Sequence, residues 1–129
     1  MDASAIVPLL LSENGADRSR LLIDRVRGES GYVPDLFFLE IANIIIVGER
    51  RGRIDISAGD AFLNLLDDLP LYVAQSGKRD RLLQLAMRHG LTAYDAAYLE
   101  LAARQGLPLA TLDRQLATAA LAEGVALID

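Results

Sequence analysis

Apolar residues recur along this chain at helical spacing, with short apolar runs between them. Ala58, Ala61, Phe62, Leu65, Leu66 and Leu69 repeat at intervals of three and four, as do Tyr94, Ala97, Tyr98 and Leu101. Residues so spaced line one side of an amphipathic helix. The same reading predicts helices near Ala5 to Leu11, Arg18 to Arg27, Leu36 to Arg51, Arg79 to His89 and Arg114 to Glu123. The strand candidates are short: Tyr32-Val33, Leu71 to Val73, Leu109 to Leu112 and Val125 to Ile128. Three helical patterns stop at a glycine with an apolar residue after it, at Gly90-Leu91, Gly106-Leu107 and Gly124-Val125, and glycine suits the left-handed position that closes a helix. Short strands alternating with helices predict an α/β fold with a parallel sheet covered on both faces. In such folds the ligand site lies beyond the carboxyl ends of the strands. Polar residues just after a strand, or in the first turn of the next helix, are therefore the ones to weigh.

Composition narrows the chemistry. A chain of 129 residues with 52% hydrophobic content is expected to form one domain, 1–129, with a real core. The longest apolar stretch, Leu36 to Val47, is interrupted by Glu40 and Asn43 and falls short of the roughly 20 residues a membrane span needs. No basic region precedes an apolar run at the N-terminus, so no membrane association is expected and the cytoplasm is the expected location. Cysteine is absent and His89 is the single histidine, which excludes thiolate and multi-histidine metal sites and leaves oxygen ligands. A net charge of -5 argues against gripping nucleic acid over the whole surface. The basic residues cluster instead at Arg50-Arg51-Gly52-Arg53, at Lys78-Arg79-Asp80-Arg81 and at Arg114. Helix-end arginines often only complement the helix dipole, but Arg114 directly follows Asp113 and is the best placed to meet a phosphate.

Three of four candidate acids, Asp2, Asp95 and Asp113, stand where a crevice is expected, and each of these three has an ordinary alternative. Asp2 lies at the start of the chain, where a terminus frays and Ser4 could cap a helix. Asp95 follows Thr92 by three residues in a pattern like a capping box. Asp113 follows the candidate strand Leu109 to Leu112 and could cap the last helix. Glu40 differs, because Leu36-Phe37-Phe38-Leu39-Glu40-Ile41-Ala42 surrounds it with large apolar groups inside a helix. A buried carboxylate must find a cation, a strong donor, a proton or water. Asn43, one turn on, extends the polar notch. Two unscreened carboxylates about 4 Å apart repel by about 4 kcal/mol at an effective dielectric near 20, so a cluster of these acids calls for a cation. Mg2+ or Mn2+, hard ions that take oxygen ligands and substrate phosphates, would equip such a site for phosphodiester hydrolysis.

Four segments in order, Asp2-Ala3-Ser4-Ala5, Leu39-Glu40-Ile41-Ala42-Asn43, Leu91-Thr92-Ala93-Tyr94-Asp95-Ala96-Ala97-Tyr98 and Ala110-Thr111-Leu112-Asp113, together resemble the PIN domain, especially the VapC-type ribonuclease toxins of toxin-antitoxin pairs. The resemblance spans nearly the whole chain. It implies a three-layer α/β/α sandwich, divalent-metal-dependent cleavage of RNA, homodimerisation and inhibition by a small antitoxin protein. Asp2, Glu40, Asp95 and Asp113 match the family's acidic quartet, with Asp2 and Asp95 as the leading direct metal ligands and Glu40 and Asp113 acting directly or through water. Ser4 and Thr111 match neighbouring polar positions. Only Met1 precedes Asp2, so the first strand of the sandwich is expected to be truncated. A phosphoacceptor receiver domain would resemble its family only with a lysine late in the chain, and Lys78 is the one lysine; a haloacid-dehalogenase-like phosphatase would want Asp-x-Asp where this chain has Asp2-Ala3-Ser4. The remaining alternative is a PIN fold that binds antitoxin or RNA without cutting.

Overall fold

Phe37, Ile41 and Ile45 follow one another at intervals of four, and all three are buried, as the apolar pattern around Glu40 requires of a helix. A computed structural model of the chain describes residues 16–128. Its elements are α1 (Ala16–Glu29), β1 (Gly31–Pro34), α2 (Phe37–Arg50), α3 (Ile56–Asp67), β2 (Leu71–Ala74), α4 (Arg79–His89), α5 (Ala93–Gln105) and α6 (Arg114–Ala122). The helix and the truncated first strand expected before residue 16, with Asp2 and Ser4, lie outside the described residues.

β1 and β2 pair in parallel, with Gly31 opposite Leu71 and Pro34 opposite Ala74. Helices alternate with these parallel strands, so the fold is α/β, of the layered kind the pattern predicts. The two later strand candidates are shorter than expected. Among the described residues they pair only through the parallel bridge Leu109–Leu127, with the Leu109 amide donating to Ala126 O and its carbonyl accepting from Ile128 N. Pro108 has no amide proton to extend the ladder. Two residues past Leu109, the Thr111 hydroxyl accepts from the Asp113 amide at 3.0 Å and turns the chain toward α6.

The core draws side chains from nearly every element. Val33, Phe37, Leu85, Leu99, Leu109 and Leu116 are each at most 1% exposed and belong to one cluster. Burial of a side chain this size contributes about 1.5–3 kcal/mol, so these contacts, rather than four-residue strands, hold the layers together. The anticipated stops are in place, since Gly90 and Gly106 close α4 and α5 at φ 65° and Gly124 has φ 76°. α2 is apolar nearly all round yet not covered all round: Leu39 is 74% and Ile46 45% exposed. No helix among the described residues is long and apolar enough to cross a membrane.

Candidate functional site

Glu40 sits in the first turn of α2, where a half-buried carboxylate needs a strong donor. Tyr98 supplies it. This tyrosine lies in the middle of α5, is 2% exposed, and donates its hydroxyl to Glu40 Oε1 at 2.5 Å, the short end of the range for an O–H bond to a carboxylate. This contact joins two helices far apart in the chain.

Asp95 precedes Tyr98 by three residues on α5, and positions three apart share a helical face. It is half-buried in the first turn, where the exposed amides of the helix favour a negative charge. The turn itself is set by Thr92, whose hydroxyl accepts from the Asp95 amide at 3.1 Å. Asp113 is the N-cap of α6 and accepts from the Leu116 amide at 3.0 Å. The capping readings of Thr92 and Asp113 are thus both met in the structure, and they leave the half-buried side chains of Asp95 and Asp113 at the mouths of their helices. α5 packs against α4, α6 and β1, which makes it the element that links these positions. Asn43 and Arg114 are exposed, one turn beyond Glu40 and directly beside Asp113.

Among the described residues no three His, Asp or Glu side chains stand close enough together to hold a metal ion. Glu40 is joined to the helix that bears Asp95, Asp113 caps the next helix, and the fourth acid of the sequence quartet, Asp2, is outside the described residues. All four are carboxylates, the donor type that suits Mg2+ or Mn2+. A cavity of about 410 Å3 between α1, β1 and residues 107–110 is lined by Leu22, Tyr32, Tyr98 and Leu109 and by none of Glu40, Asp95 and Asp113. Through Tyr98 it adjoins the contact with Glu40.

Several polar contacts escaped the sequence reading. Tyr98 stands three residues from Asp95, but its ring fits the core pattern equally well. Glu123 is bonded to His89 and Arg88 and lies 3.5 Å from Arg81, so part of the basic Lys78–Arg81 cluster serves an internal ion pair. The His89 bond first, and Arg88 second, hold the Glu123 carboxyl below the usual glutamate range. Glu100, buried on α5, pairs with Arg104 at 2.8 Å, and Arg104 also donates to Gln75 O at 2.9 Å.

The PIN domain family model matches residues 1–121. A curated protein of Pyrobaculum aerophilum named Ribonuclease VapC3 is 33% identical over 91% of this chain and 90% of its own length. A second from that organism, named Exonuclease VapC9, is 35% identical over 63% of this chain and 60% of its own length. The crystal structure of PAE2754 from Pyrobaculum aerophilum superposes with a TM-score of 0.71 at 30% identity, covering 92% of this chain and 76% of that one.

Proposed function

The chain belongs to the PIN-domain family, and on that premise we propose that it is a divalent-metal-dependent endoribonuclease, the toxin of a toxin-antitoxin pair. The observation that carries this reading is the Glu40–Tyr98 contact, which sets a carboxylate from α2 against the helix that bears Asp95.

Asp2, Glu40, Asp95 and Asp113 would hold Mg2+ or Mn2+, with Ser4, Asn43 and Thr111 as polar support. The bound ion would supply an acidified water and charge neutralisation at the leaving oxygen. The chain's own contribution is placement. Asp95 lies in the first turn of α5 and Asp113 caps α6, each held by a capping bond, and Arg114, exposed beside Asp113, would pair with a phosphate of the RNA. A small antitoxin protein is the partner, and the exposed Leu39 and Ile46 on α2 favour a homodimer that covers them. The cytoplasm is the proposed location.

The names of the two relatives differ on the mode of cleavage, one being called a ribonuclease and the other an exonuclease. Covalently closed circular RNA separates the modes, because it has no end to digest. We expect the purified protein to linearise the circle with Mg2+ or Mn2+ and to leave it intact with EDTA. Trimming of linear RNA beside an intact circle would mean an exonuclease. If neither RNA is cut, the chain is a module that binds RNA or antitoxin without cleavage.

A further inference from the structure

We propose that Tyr98 is a positioning residue for the nuclease site, its hydroxyl fixing the Glu40 carboxylate so that Glu40 can serve alongside Asp95. This inference rests on the nuclease reading given above.

The two partners differ in mobility. Glu40 is a half-buried side chain with three rotatable bonds, and immobilising such a side chain carries a substantial entropy cost. Tyr98 is 2% exposed, and its ring belongs to the central apolar cluster. Packing at crystal-like density holds a buried ring in one rotamer, so its hydroxyl is a fixed donor. A fixed donor 2.5 Å from Glu40 Oε1 restricts the carboxylate before any cation arrives. The spacing adds to this. Asp95 and Tyr98, three apart on α5, place a proposed metal ligand and the support for another on adjoining parts of one rigid helix, so a displacement of α5 would move both together. Partners that hold a ligand without touching the metal commonly change metal affinity or activity by about 10–100-fold when removed.

A purely architectural role, tying α2 to α5, is the competing account. Tyr98→Phe distinguishes them, because it keeps the ring in the core and removes one oxygen. We expect the variant to fold, with a far-ultraviolet spectrum like the parent's. Its affinity for Mn2+, read by electron paramagnetic resonance of the free ion, should fall about 10-fold or more. The RNA KM should stay near the parent value while kcat falls at limiting Mn2+ and recovers as Mn2+ is raised. Combining Tyr98→Phe with Glu40→Gln should cost no more than Glu40→Gln alone, because the hydroxyl acts through Glu40.

A Tyr98→Phe protein that binds Mn2+ as tightly as the parent would overturn the positioning role while the nuclease reading stands. Failure of the variant to fold would assign the hydroxyl to architecture and overturn it as well. A parent protein that neither binds Mn2+ nor cleaves RNA would remove the nuclease reading and this inference together.

Discussion

Glu123 at the end of α6 lies 2.7 Å from Nε2 of His89 at the end of α4 and accepts from Arg88 Nη1 at 2.9 Å. With Arg81 from the first turn of α4 3.5 Å away, one carboxylate joins α6 to α4 through three basic side chains. The bond from His89, followed by Arg88, lowers the Glu123 pKa from its ordinary 4.5. The folded state therefore favours the carboxylate more than the unfolded chain does. That stability is fully present above the unfolded value and is lost as pH falls through the folded pKa. Urea midpoints should show Glu123→Gln weaker than the parent near neutrality, with the gap closing as pH falls below about 4.5. A gap that persists unchanged in acid would contradict this assignment.

Asp113 has two roles that substitution can separate. Asparagine caps a helix about as well as aspartate, whereas alanine at an N-cap costs about 0.5–2 kcal/mol. Asp113→Asn should therefore keep the parent's melting temperature and lose metal-dependent cleavage. Asp113→Ala should lose both. Cleavage by Asp113→Asn at the parent rate would leave Asp113 as a cap alone.

Gly48 lies inside α2, where glycine is normally a liability of about 1 kcal/mol against alanine. Here a Cβ would meet Ile54 Cδ1 at 2.4 Å and Cγ1 at 2.8 Å, and overpacking of that kind costs about 1–3 kcal/mol. The clash outweighs the helix gain. Gly48→Ala should lower the urea midpoint, and the loss should shrink when Ile54→Val makes room.

The side chain of Glu100 is 9% exposed and relies on Arg104, itself 41% exposed. Arg104→Met leaves the buried carboxylate without that donor and frees Gln75 O, which should cost about 1–3 kcal/mol. Adding Glu100→Gln should recover part of the loss, as a thermal double-mutant cycle would read directly.

Much of this architecture was legible in the sequence because local signals agreed with the tertiary outcome. The Arg79 to His89 helix and its stop at Gly90 match the structure residue for residue, since periodicity and a left-handed glycine point the same way. The strand candidates at Leu109 to Leu112 and Val125 to Ile128 were overestimated, because an apolar run records burial as well as pairing and Pro108 shortens the ladder. Within the site, Glu40 stood out as a charge among apolar neighbours. Its donor did not, because Tyr98 is 58 positions away and its ring fits the core pattern equally well. The Glu123 junction was hidden for the same reason: a glutamate near a helix end looks solvated until the fold brings α4 beside it.

The measurement that tests the central claim most directly is cleavage of a mixed RNA pool by the parent and by Asp95→Asn, with Mg2+ or Mn2+ and with EDTA. Asparagine keeps the size of Asp95 and leaves the Thr92 capping bond, which uses the backbone amide, in place. The account predicts cleavage by the parent with metal, none with EDTA, and a large loss in Asp95→Asn at unchanged stability. Cleavage that persists in EDTA, or that Asp95→Asn carries out at the parent rate, would contradict it.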